Sequence, residues 1–119
     1  ILKMEGKVFY AKLDECVILK KLIETTKDIV SYMTFNISTI GIDVSTMDSS
    51  HVALVKFHLD PIAFQEYMCS VENITVSVDV KDIHRTFKFH NPHDTVILSI
   101  SNNVGGLEVT FMKSMNTII

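Results

Sequence analysis

The chain has 119 residues, 47% of them apolar and 21% charged, with four glycines, two prolines, two cysteines and a formal net charge of −3. That length supports one domain, and that composition excludes a disordered or low-complexity chain. The acidic balance argues by itself against a nucleic-acid binder, and no apolar run approaches the roughly 18 residues of a membrane span, so a soluble intracellular protein with no membrane partner is expected.

Residues 1–6 lack the charged and then apolar order of a signal peptide and read as a tag or loose start, with Met4 the native first residue. A strand is predicted over 7–13, then a helix over 17–30, where Ile18, Leu19, Leu22, Ile23, Ile29 and Val30 form one apolar arc. Strands follow over 34–37, 41–45 and 53–59, the last two joined by the turn formers Asp48, Ser49 and Ser50. The order then restarts at 66–69, with a strand over 74–79, a short helix over 80–88, and strands over 95–101 and 107–111. Residues 102–106, Asn-Asn-Val-Gly-Gly, suit a hairpin turn because Asn and Gly tolerate positive φ. The prediction is an α+β fold: two strand-helix-strands units in tandem, with two helices packed on antiparallel sheets.

Charge is not spread evenly over these elements. The two helical segments, 17–31 and 80–88, hold six cations (Lys20, Lys21, Lys27, Lys81, Arg85, Lys88) against three anions (Glu24, Asp28, Asp82). The remainder holds five lysines against eleven carboxylates. On the second helix Lys81, His84, Arg85 and Lys88 share one stripe at i, i+3, i+4 and i+7, opposite Val80, Ile83 and Phe87. Two basic helix faces on an otherwise acidic domain suggest that both meet one polyanion.

No catalytic residue, metal ligand or cofactor is indicated. Asp48, Ser50 and His51 contain the ingredients of a hydrolase triad, but neighbours on one turn cannot align nucleophile, base and orienting acid, and no G-x-S-x-G elbow is present. His90 and His93 flank a Pro turn without a third ligand nearby, and Cys16 and Cys69 form no C-x-x-C pair. The glycines make no phosphate-binding pattern, so no enzyme is expected.

The order Met47-Asp48-Ser49-Ser50-His51-Val52 closely resembles the motif at the same place in the first domain of the eukaryotic-type DNA sliding clamps, the proliferating cell nuclear antigen family. Phe9-Tyr10-Ala11-Lys12-Leu13, then Ile18-Leu19-Lys20-Lys21-Leu22 with Lys27-Asp28, resemble that family's first strand and helix, and Phe64, Tyr67 and Cys69 match its F-x-x-Y-x-C pattern. The likeness spans residues 8–113. Met68 stands where an arginine is common, and the turn at 102–106 lacks the acidic residues often found there.

The resemblance implies the DNA-clamp fold, with the duplicated unit internal to one N-terminal domain. Taken with the charge pattern, it makes Lys20, Lys21, Lys27, Lys81, His84, Arg85 and Lys88 candidates for duplex DNA, bound non-specifically through the phosphate backbone on the inner wall of a ring. It makes Met47, Ser50, His51, Val52 and Leu54 candidates for a pocket that takes the short peptide motifs of partner proteins. The implied function is that of a DNA polymerase processivity factor in replication and repair. Its partners would be DNA polymerase, other motif-bearing proteins and a clamp loader, and three two-domain subunits would close the ring in the nucleus or a viral replication compartment. The linker and second domain would lie beyond Ile119. The alternative is a clamp-derived scaffold that binds partner proteins without encircling DNA.

Overall fold

A computed structural model describes residues 6–50, 52–102 and 106–113, with the backbone alone at 53 and 54. Residues 1–5 of the loose start expected at 1–6, His51 and the centre of the 102–106 turn lie outside the described residues. The elements are β1 (Lys7–Leu13), α1 (Val17–Thr26), β2 (Tyr32–Ser38), β3 (Gly41–Met47), β4 (Ala53–Leu59), β5 (Glu66–Cys69), β6 (Asn73–Asp79), α2 (Val80–Phe87), β7 (Thr95–Ser101) and β8 (Leu107–Met112). Every predicted strand and helix is present. They form two four-stranded antiparallel sheets, ordered β5-β1-β7-β8 and β4-β3-β2-β6.

The sheet orders show that the repeat is β1-α1-β2-β3 followed by β6-α2-β7-β8, so the second unit begins at β6 and not at 66–69. Each unit sends its first strand into the other unit's sheet. β1 pairs with β7, Ala11 facing Leu98, and β6 pairs with β2, Val76 facing Phe35.

Local patterning explains the elements. In β6 the half-buried Ile74, Val76 and Val78 alternate with exposed Asn73, Thr75, Ser77 and Asp79, the period of a strand with one wet face. β8 alternates in the same way, Leu107, Val109 and Phe111 turning inward. The core joins Phe9, Ala11 and Leu13 of β1, Phe35 and Ile37 of β2, Ile42 and Val44 of β3 and Val96, Leu98 and Ile100 of β7 to the buried faces of both helices. Each fully buried large apolar side chain there contributes on the order of 1.5–3 kcal/mol.

The sequence pattern overran the first helix. α1 stops at Thr26 because the hydroxyls of Thr25 and Thr26 donate back to the carbonyls of Lys21 and Leu22, and a turn follows in which the Ile29 and Val30 N–H groups both reach Thr26 O. The buried arc is therefore Leu19, Ile23 and Thr26, while Ile18 and Ile29, expected inside, are 54% and 63% exposed. At the other end no side chain caps α1; the Cys16 N–H instead donates to Asp94 O at 2.9 Å. α2 is capped by Asp79, whose carboxylate accepts from Lys81 N at 2.8 Å, and Asp82 places a negative charge in its first turn.

A hydrogen bond from the edge strand β5 ties one sheet to the other. The Tyr67 hydroxyl of β5 donates to Ser38 O of β2 at 2.6 Å, and its ring packs edge-on to Phe9 and against Phe64. Burial pushes this phenol up to about 12, with Cys69 adding to the shift. Tyr67 should therefore resist ionisation until well above pH 10 in a spectrophotometric titration. A folded-state value above the ordinary 10 favours the neutral phenol, so this stabilisation is complete below about pH 10 and is lost as pH rises toward 12. Tyr67→Phe is expected to flatten the loss of stability in that window.

Gly41 opens β3 with φ of +133°, and a Cβ there would lie 2.5 Å from Leu59 O and 2.7 Å from the His58 ring. Gly41→Ala is expected to cost about 2–3 kcal/mol in denaturant unfolding, from backbone strain together with the clash against a neighbouring strand.

Candidate functional site

α1 and α2 lie side by side and antiparallel: Lys20, near the start of α1, meets the end of α2, and Lys27, just after α1, meets its beginning. Val80, Ile83 and Phe87 are buried, which turns Lys81, Arg85 and Lys88 outward and leaves His84 half-buried. Lys21 is exposed on α1. Lys27 and Asp28, together with Lys81, His84 and Arg85, line one shallow groove of about 300 Å³ where the two helices approach.

The cations differ in how they are engaged. Lys27 pairs with Asp28 at 3.4 Å and Arg85 with Asp82, both on the surface. Exposed pairs of this kind are worth at most about 1 kcal/mol, so each cation can exchange its carboxylate for a phosphate at little cost. Lys88 Nζ sits 4.8 Å from the centre of the exposed Phe89 ring. Lys21 and Lys81 have no carboxylate partner among the described residues. Lys20 is the exception to the expected exposed arc: its ammonium donates to Phe87 O and Lys88 O, each at 3.1 Å, with Glu24 3.8 Å away and 13% of the side chain exposed.

The second candidate site is the loop between β3 and β4. Asp48 organises it: one carboxylate oxygen accepts from Ser50 N at 2.9 Å, Ser50 Oγ at 2.7 Å and Val52 N at 3.0 Å, and the Asp48 N–H donates to Val52 O. This is an Asx turn extended by two residues. At its base the buried Thr46 hydroxyl fills the bulge between β3 and β4, donating to Val55 O and accepting from Val55 N. The bulge turns Met47 to a half-buried position while Val52 stands 55% exposed beyond the turn. Ser50 is exposed, His51 lies outside the described residues, and Leu54 is placed by its backbone in β4 alone.

Sequence reasoning treated Asp48 as one turn former among several and missed that it holds the loop's shape. The aspartate two residues before Ser50 was the available signal. It also missed that the Lys20 ammonium is engaged by the carbonyls at the end of α2. The histidines outside these surfaces are locally engaged: His58 Nδ1 is 2.7 Å from Asp43 Oδ1, His93 Nδ1 is 3.3 Å from Glu15 Oε2, and the His90 ring stacks on Phe111 at 3.6 Å. Among the described residues no group of three His, Cys, Asp or Glu could hold a metal ion. Burial, and secondarily Asp94, pushes the Cys16 thiol up, which makes it a poor nucleophile.

Known proteins resemble this chain in sequence and fold. The family description for the N-terminal domain of proliferating cell nuclear antigen matches residues 8–119. A protein named probable DNA polymerase sliding clamp, from Autographa californica nuclear polyhedrosis virus, is 32% identical over 91 residues, which are 76% of this chain and 35% of that protein. The proliferating cell nuclear antigen of Caenorhabditis elegans is 35% identical over 98 residues, 82% of this chain and 37% of its own length. The crystal structure of the proliferating cellular nuclear antigen of Entamoeba histolytica superposes with a TM-score of 0.70 at 23% identity, over 94% of this chain and 49% of that one. This chain thus spans a little over a third of the length of these curated relatives. With the family match running from β1 past β8, and the same fold in the solved structure, the chain belongs to the proliferating cell nuclear antigen family, within that family's N-terminal domain.

Proposed function

We propose that this domain serves in a DNA polymerase processivity clamp: a ring subunit whose two helices face duplex DNA and whose β3–β4 loop receives the peptide motifs of polymerases and other partner proteins. The observation that carries the reading is the convergence of Lys21, Lys27, Lys81, His84, Arg85 and Lys88 on one antiparallel helix pair, in a domain whose remaining charge is acidic. Flexible ammonium groups on helices meet phosphates and do not engage base edges, so binding is sequence-independent and mobile, which a sliding tether requires. Two relatives are named as a sliding clamp and as proliferating cell nuclear antigen, which supports duplex DNA, a clamp loader and three-subunit ring closure as partners and assembly. It likewise supports work in the nucleus or, for a viral source, at the site of viral replication. The role is that of a non-enzymatic tether, in repair as well as replication.

Changing Lys21, Lys81, Arg85 and Lys88 to Glu takes the two helical segments from +3 to −5, since each substitution subtracts two charges. The domain should still fold, because none of the four is buried. Titrating the chain with a blunt duplex at low salt, followed by NMR shifts, should show binding abolished and the salt slope lost. Equal changes at Lys7, Lys56 and Lys113, which stand outside the helices, should leave duplex binding within about twofold. Comparable losses in both sets would defeat the inner-wall assignment.

For the loop, Met47→Ala should weaken binding of a clamp-interaction peptide by several-fold in calorimetry while unfolding stability changes by about 1 kcal/mol or less, as expected for a half-buried side chain. Unfolding of the domain by this substitution would place Met47 in the core and remove it from the pocket.

A further inference from the structure

We infer that Lys20 is a positioning residue, which builds the nucleic-acid face by capping α2 and contributes no phosphate contact of its own; this rests on the clamp reading above. α2 ends without the glycine that closes many helices. Lys88 and Phe89 follow Phe87 directly, and Lys88 keeps right-handed helical geometry with φ of −63°. The last carbonyls of such an end are orphans that need donors from elsewhere. Main-chain groups supply part of the need: Lys88 N reaches His84 O at 2.9 Å and His90 N reaches Phe87 O at 3.0 Å.

Lys20 supplies the rest from the neighbouring helix. Its ammonium donates to Phe87 O and Lys88 O, both at 3.1 Å, and so places a full positive charge at the negative end of α2. Glu24 Oε2 lies 3.8 Å away on the same helix, an ion pair beyond hydrogen-bond distance. Two of the ammonium's three donors are thereby committed to main-chain carbonyls, its charge is paired with Glu24, and the side chain is mostly covered, at 13% exposed. Reaching a phosphate would require breaking both carbonyl bonds and uncapping the helix. Lys21, one residue on, is exposed and has no such engagement among the described residues. The two adjacent lysines therefore have different tasks: Lys21 faces the polyanion, and Lys20 fixes the end of α2 that presents Arg85 and Lys88.

The test is Lys20→Met, with Lys20→Arg and Lys21→Met beside it, on this chain. In Lys20→Met, amide exchange at Lys88 and His90 should rise at least tenfold as the end of α2 frays, and affinity for a blunt duplex should fall several-fold. The slope of log affinity against log salt should stay at the wild-type value, because no phosphate contact is lost. Lys21→Met should leave exchange unchanged and lower that slope by about 0.9. Lys20→Arg, whose guanidinium can still donate to both carbonyls, should restore protection and affinity. Unchanged exchange at Lys88 and His90 in Lys20→Met overturns the proposal, as does a slope reduced to the extent seen for Lys21→Met. If neither lysine affects duplex binding, the reading of the helices as a DNA face falls, while the exchange measurement still decides whether Lys20 caps α2.

Discussion

The structure depends on one constraint of chain path: each repeat gives its first strand to the sheet of the other. β1 hydrogen-bonds to β5 and β7, both from the later part of the chain, and β6 completes the sheet built from β2, β3 and β4. Neither sheet can form from one half. Pairings such as Phe9 with Ile100 join distant parts of the chain, so the loop-closure entropy must be met before the sheets return any stability, the signature of slow, cooperative folding. The same exchange sets the helices. α1 leaves one sheet at β1 and enters the other at β2; α2 leaves the second at β6 and enters the first at β7. Two connections that cross between the same sheets in opposite senses must lie antiparallel.

That geometry brings cations from residues 20–27 and 81–88 onto a common surface, although about sixty residues separate the two groups. What makes the surface suited to a mobile polyanion is the weakness of its existing engagements. Lys27 and Arg85 hold exposed carboxylates, Lys88 lies over Phe89, and Lys21 and Lys81 extend into solvent. None of these is costly to leave, and none offers the fixed bidentate geometry that would favour one base sequence. The acidic remainder of the domain confines attraction to this one face.

Much of this was legible in the residues. Period-two and period-3.6 patterns marked elements such as β6, β8 and α2, each of which has one wet face and one dry one. The limits have a common cause, which is that periodicity describes one element at a time. It extended α1 through Thr25 and Thr26 because it does not register hydroxyls competing for helix carbonyls. It placed Ile18 and Ile29 inside because the width of the buried arc is set by what packs on it. It put Lys20 with the other cations because the carbonyls that hold its ammonium belong to a different helix. Strand exchange was equally invisible: alternation identifies a strand without naming its neighbour. At the loop, the family motif drew attention to Met47 and His51, yet the residue that shapes the described part of the turn is Asp48.

The antiparallel helix pair also shapes the field that the domain projects. A lone helix behaves as a dipole of about half a charge at each end, felt chiefly within its first and last turns. Here the positive end of each helix lies beside the negative end of the other, so at a distance the two largely cancel and leave a short-ranged residual. The potential felt by an approaching polyanion therefore comes from side chains alone. Its strength can be retuned one lysine at a time without disturbing the backbone that carries it.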